Sequence, residues 1–360
     1  MPQNSLFIAA AALSLFVSAA SASASASASA SASASASASA AAAPSLCALV
    51  ATETSRSQSF VLAALRADGT LGGPPIALAT EPMSGILACS AAAGSCLYSP
   101  PLADQASVGL VEVDIAARAA KAYKLRSPAG FAGAYVIGAL AASEVPGDAV
   151  ALMASAAGSD APWVAAAELT PADGVPRVRV NLTAESFQQL SAAMGSAYDG
   201  ATRTLYVNGA AGGNAGLFAA PLGPPAAAAA PPSPTWLPNA TLPATFLPLG
   251  FAFCGGAAQS VVGVGVVAPP SVYGMISLSA KTLTWRSLIS WTKETLYLSG
   301  LGQIACSPDG TTAHAVFSDA KGVHIIPAVD TATGKEVSRV TMANATFFVG
   351  ALAFCPSDFA

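Results

Sequence analysis

The chain has 360 residues, of which 9% are charged against ~25% in ordinary soluble domains, and its formal net charge is -4. With a pI near 5.1 it carries no basic footprint for nucleic acid. Residues 204–280, 77 in a row, include no Asp, Glu, Lys, Arg or His, yet Pro and Gly interrupt them throughout, so they lack the ~20 helix-competent apolar residues of a membrane span.

Leu6 to Val17 is an apolar core followed by the small residues Ser18, Ala19 and Ala20. It reads as a secretory signal peptide over residues 1–20. No Lys or Arg precedes it, and the first charged side chain is Glu53. Residues 21–43 are ten Ser-Ala dipeptides and three alanines. Side chains this small cannot build a core, so the tract is a low-complexity tether, either without a role or an O-glycosylated stalk. Residues 44–360 then form one extracellular domain.

The rest of the chain is a series of short apolar runs broken by Asp, Gly and Pro, the pattern of strands joined by turns. Naming the strands of a four-stranded unit a to d from the inside outward, c–d hairpins fall at 62–78, 110–125, 164–180, 216–225, 273–288 and 325–340. Their strand c ends, near Arg66, Asp114, Thr170, Leu222, Ser279 and Asp330, are spaced by 48, 56, 52, 57 and 51 residues. Hairpins a–b turn near Cys89, Glu144, Asp199, Cys254 and Cys306. A sixth strand a ends the chain with no strand b behind it, and the first run after the tether, 45–53, is a strand b with no strand a before it. Joining the two completes a sixth unit and satisfies edges otherwise left open. Fold class follows: all-β, a β-propeller of six four-stranded blades closed by its N- and C-terminal strands, with seven blades as the runner-up.

The turn Ser307-Pro308-Asp309-Gly310 before a strand, and the run Val329-Asp330-Thr331-Ala332-Thr333-Gly334-Lys335, resemble YVTN/NHL-type propeller repeats. The motif is good in the last blade, partial elsewhere and degenerate near Pro221 to Pro234. The resemblance implies the architecture of six-bladed lactonases and strictosidine synthases, which hold calcium in the channel with Glu, Asp and Asn ligands. Such an ion wants six to eight oxygens. The inner strands here offer no carboxylate, and Gln303 is their only strongly polar side chain, which counts against a channel metal.

The acids fall in loops instead. Glu53, Asp104, Asp160 and Asp319 are assigned to b–c loops, and Glu81, Glu185 and Glu294 to d–a loops, both opening on one face. They read as a solvated rim or as a ligand face. Gly263-Val-Gly265-Val-Val-Ala268 matches a dinucleotide fingerprint, but Pro269 and Pro270 follow where a helix must start, so it reads as a strand. His314 and His324 lie on neighbouring strands of one blade and lack the further ligands of a zinc site. Trp163, Trp236, Trp285 and Trp291 suit core packing or sugar stacking. Asn181, Asn239 and Asn344 open glycosylation sequons at strand d or just after it, on one face.

Six cysteines in a secreted chain favour disulfides, though all six also suit a core as small hydrophobes. The repeat places Cys89 opposite Cys96 across an a–b hairpin. Cys355 and Cys47 occupy the equivalent places at the two ends of the chain, a bond that would close the ring. Cys254 and Cys306 hold matching positions on inner strands of adjacent blades. No cofactor is implied. The functional reading is a monomeric, secreted, non-enzymatic binding or scaffold protein for an extracellular protein or glycan. The alternative is a lactonase- or strictosidine-synthase-like hydrolase or lyase with a loop-borne metal.

Overall fold

The computed structural model describes residues 45–359 except 55–56, 79–85, 91, 101–108, 129, 132–134, 156–162, 184–195, 212–213, 225–232, 257–258, 269–271, 293–295, 299–303, 343–346 and 357–358. The expected signal peptide and Ser-Ala tether lie outside the described residues.

The apolar runs form strands, and the Asp, Gly and Pro breaks form their turns. Blade 1 contains β1 (Ser45–Thr54), β2 (Ser57–Leu65) and β3 (Leu71–Leu78). Blade 2 is β4 (Leu87–Ser90), β5 (Ser95–Tyr98), β6 (Gly109–Asp114) and β7 (Ala119–Lys124). Blade 3 is β8 (Tyr135–Ala142), β9 (Ala149–Ser155), β10 (Val164–Leu169) and β11 (Arg177–Asn181). Blade 4 is β12 (Ser196–Asp199), β13 (Thr204–Ala211), β14 (Asn214–Pro221) and β15 (Thr235–Thr241). Blade 5 is β16 (Phe246–Cys254), β17 (Ser260–Val267), β18 (Val272–Ser279) and β19 (Trp285–Ser290). In blade 6, β20 (Tyr297–Leu298) and β21 (Ile304–Cys306) share the inner position, and β22 (Thr312–Ala315) and β23 (Phe317–Ser318) the second. β24 (His324–Asp330) and β25 (Glu336–Thr341) complete that blade.

Every sheet is antiparallel, and the last strand, β26 (Phe347–Cys355), pairs with β1 to give blade 1 the order β26-β1-β2-β3. The chain is therefore a six-bladed β-propeller, closed by its first and last described strands.

Burial grades outward within a blade. The inner strand β16 is buried at eight of its nine positions, whereas the outer strand β7 has five of six exposed. Inner and middle strands are covered by neighbouring blades on both faces, so they read as continuous apolar runs rather than alternating ones. The core is divided accordingly, with one apolar cluster at each of the six seams between blades. Small side chains bring the sheets close: Ala165, Ala166 and Ala167 of β10 are all fully buried.

Gly263 and Gly265 show why the fingerprint-like run is a strand. A Cβ on Gly263 would sit 2.6 Å from the Phe251 ring, and one on Gly265 would sit 2.2 Å from the Leu247 carbonyl oxygen. Both lie in β17 against β16. Their missing side chains make room for the inner strand, not for a pyrophosphate.

Three disulfides join Cys47 to Cys355, Cys89 to Cys96 and Cys254 to Cys306, with Cα–Cα distances of 5.7, 4.0 and 5.2 Å. The first joins β1 to β26 across 308 residues. The third joins the inner strands of blades 5 and 6, where the a–b turns also interlock. A Cβ on Gly310, itself at φ 73°, would fall 1.9 Å from the Gly255 carbonyl oxygen. Three disulfides suit an oxidising compartment. No helix among the described residues is long and apolar enough to cross a membrane.

Candidate functional site

The a–b and c–d turns of a propeller emerge on one face, and the b–c and d–a connections on the other. On the a–b/c–d face of blade 3, two turns frame a cleft of ≈ 740 Å³. The a–b turn after β8 is tied by Ser143 N–H donating to the Asp148 carbonyl at 3.0 Å and by Asp148 N–H donating to the Val145 carbonyl at 3.1 Å. The c–d turn after β10 is one turn of 3-10 helix, Pro171–Asp173, ended by Gly174 at φ 65°. Proline suits the start of such a turn and glycine its left-handed end. Asp148, Glu168, Asp173 and Arg177 bring charge to the cleft, and Val145, Val175 and Pro176 form apolar wall.

Two of these carboxyls are perturbed. Burial pushes Asp148 above its ordinary range; the Thr170 hydrogen bond and Arg177 oppose that, and the negative charge of Asp173 reinforces it. Burial also raises Glu168, against the pull of Arg179 and Arg177.

Behind the cleft, Glu168 joins a charged network across the seam between blades 3 and 4. Arg203 pairs with both Glu168 and Glu144, and the Arg179 guanidinium lies 3.9 Å from Glu168. Tyr198 donates its hydroxyl to Glu144 at 2.8 Å. The same arginines hold the backbone that follows β14: Arg203 Nε donates to the Gly223 carbonyl at 2.6 Å and Arg179 Nε to that of Leu222 at 3.0 Å. Arginine's planar fork suits such multiple contacts. This network braces the seam. The cleft in front offers charge and hydrogen bonding, and no histidine or cysteine lines it among the described residues.

Of the seven acids assigned to the opposite face, Asp319 does not line this cleft. Asp319 lies in the b–c turn of blade 6 and caps it, accepting from the backbone N–H of Lys321 at 2.8 Å and of Val323 at 2.9 Å. Its carboxylate is engaged within its own turn. Glu53 is not in a loop: β1 runs on to Thr54, and Glu53 pairs with Gln58 in the β1–β2 ladder. β-branched Thr52 and Thr54 carry the strand past the expected boundary. Glu81, Asp104, Asp160, Glu185 and Glu294 lie outside the described residues, as does the channel residue Gln303.

Among the described residues, the inner strands do carry one acid. β12 ends on Asp199, which is buried. It accepts from Ala201 N–H at 3.0 Å and from the Thr202 hydroxyl at 2.7 Å, so it closes its own a–b turn. Among the described residues, no carboxylates converge at the inner strands; the group of three or more potential metal-ligating side chains found there is cysteine, Cys89, Cys96 and Cys355.

The tryptophans serve packing. Trp163 stacks at a tilt on Phe131 at 4.8 Å, Trp236 meets Phe218 edge-on at 4.8 Å and Trp291 meets Phe317 at 4.8 Å. Trp285 lies 6.3 Å from Phe251. The two histidines sit on the paired strands β22 and β24 and both meet the closing strand β26, His314 edge-on to Phe354 and His324 edge-on to Phe348, each at 5.3 Å. Burial depresses both imidazoles to about 4. Asn181 is exposed at the end of β11, and Asn239 lies in β15; both are outer strands, and Asn344 is outside the described residues.

No protein-family model matches the chain, and no curated protein matches it. Solved structures do. TolB from Acinetobacter baumannii matches with a TM-score of 0.56 and 11% identity, over 87% of this chain and 67% of that one. A chain of a nidogen/laminin complex matches with a TM-score of 0.55 and 11% identity, over 87% of this chain and 99% of that one. A putative 6-phosphogluconolactonase from Bacteroides uniformis follows at 0.49 and 13%, over 82% and 81% of the two chains. At these identities the first two likenesses show the fold, a six-bladed β-propeller, and nothing finer.

Proposed function

We propose that the chain is a secreted propeller acting as a non-enzymatic extracellular binding or scaffold protein. The observation that supports this reading is where the polar atoms go. Among the described residues the inner strands assemble no oxygen cluster for catalysis, while an accessible cleft opens between turns on the a–b/c–d face of blade 3. Of the asparagines expected to carry glycans, Asn181 and Asn239 belong to outer strands, toward the d–a connections. Carbohydrate there would leave the cleft face open to a partner.

The test is a binding survey of protein purified from culture medium against arrays of extracellular proteins and glycans. Val175, 42% exposed at the cleft, and Leu247, 57% exposed at the d–a end of β16, mark the two faces. Val175→Arg is expected to abolish a specific interaction that Leu247→Arg leaves intact. Turnover of lactones by the purified protein, with or without added Ca²⁺, would instead favour the hydrolase alternative.

A further inference from the structure

Two of the disulfides belong to different blades, yet their sulfurs touch. The Cys355 Sγ lies 3.8 Å from the Cys89 Sγ and 3.7 Å from the Cys96 Sγ. These three sulfurs lie within 4.8 Å of one another, and Cys47, bonded to Cys355, stands beside them as a fourth. They come from four strands, β26, β1, β4 and β5, the two innermost strands of blades 1 and 2. All four residues are at most 5% exposed, within the apolar cluster that holds Leu49, Leu87, Val113 and Ala353.

A tetrahedral zinc–thiolate centre with Zn–S near 2.3 Å has S···S edges of about 3.8 Å. Two such edges, from Cys355 to Cys89 and from Cys355 to Cys96, already exist in the oxidised protein. The positions are set by sheet register rather than by the bonds alone: Cys89 faces Cys96 directly in the β4–β5 ladder, and Cys355 pairs with Ser45, two residues from Cys47.

We propose that the reduced protein binds one soft divalent cation, Zn²⁺ or Cd²⁺, through Cys47, Cys89, Cys96 and Cys355. Reduction of both disulfides by a dithiol or phosphine takes four electrons and four protons and yields four thiols. Metal binding then displaces thiol protons, so affinity rises with pH. The same four sulfurs thus serve in two ways, as one bond within blade 1 and one within blade 2 under oxidising conditions, and as one metal centre bridging the two blades under reducing ones.

The experiment uses the secreted chain carrying Cys254→Ala and Cys306→Ala, so that only these four thiols remain, reduced with a phosphine without oxygen and titrated with Co²⁺ and then Zn²⁺. The expected result is the visible spectrum of tetrahedral Co²⁺–thiolate, saturating at one equivalent, bleached by Zn²⁺, with the β-sheet circular dichroism retained or restored by metal. Adding Cys355→Ala is expected to weaken binding by at least about tenfold, the low end of what even an outer-sphere partner costs. Absence of the tetrahedral spectrum, an unchanged spectrum in the Cys355→Ala variant, or binding only to a chain with no β-sheet signal would overturn the proposal.

Discussion

The seam between blades 1 and 2 and the seam between blades 3 and 4 solve one problem with opposite chemistry. At the first, four buried cysteines sit in an apolar cluster. At the second, Glu144, Glu168, Arg179 and Arg203 form a hydrogen-bonded ionic network in a chain with few charges. The difference follows from connectivity. Blade 1 is assembled from strands 308 residues apart at Cys47 and Cys355, so its closure opposes a large loss of chain entropy. Blades 3 and 4 are each one run of consecutive strands, so neither has a closure to hold. Their arginines instead fasten the backbone at Leu222 and Gly223, just after β14.

The largest test of this contrast is removal of the closing bond. Cys47→Ala with Cys355→Ala is expected to cost about 5 kcal/mol in the chain-entropy description, read from denaturant unfolding, and removal of Cys89–Cys96 only about 2–3 kcal/mol. Equal losses would mean that contacts, not loop closure, dominate the sulfur seam. Next comes Arg203→Met. It leaves Glu144 and Glu168 without their shared partner, and a loss of about 2–3 kcal/mol is expected, below the value for a fully buried pair because the Glu144 side chain is 33% exposed.

Acid tests a third seam, between blades 6 and 1. Both histidines stand against β26 and titrate near 4 in the fold, against an ordinary 6.5. The unfolded chain therefore takes up protons first as pH falls. Their contribution is full above pH 6.5 and is lost between 6.5 and about 4. A loss of about 2 kcal/mol over that window is expected, less than the full shifts would give at about 1.4 kcal/mol per unit, since His314 is only part-buried by its surroundings. His314→Gln combined with His324→Gln should flatten the pH dependence of Tm there. The smallest effect is Asp319→Ala, which removes the acceptor of two backbone N–H groups in an accessible turn and should cost about 1 kcal/mol.

What was legible in the sequence came from the repeat. Period and turn chemistry gave the blades, and equivalent positions in the repeat gave the cysteine partners, because both are set by strand order. The ionic seam was not legible. Glu168 and Arg203 are 35 residues apart and meet only across a blade boundary, where no local spacing rule applies. The usable signal was there: an acid near the end of β10 and an arginine in the turn before β13, in adjacent blades of a charge-poor chain. The β1 boundary at Glu53 was missed because a polar residue beside a hairpin turn looks the same in strand and in loop. Asp199 was counted as turn although its backbone is the last of an inner strand.

The Cys47–Cys355 bond also has a mechanical meaning. A force applied to the two termini of the oxidised molecule passes straight across that bond, and the 308-residue path between its ends bears none of it. At roughly 3.4 Å per extended residue, about 1,000 Å of contour stays hidden until a reductant cuts the shunt. A molecule held at Ser45 and Pro356 in an optical trap would therefore be nearly inextensible in oxidising buffer, and would lengthen by that amount only after reduction.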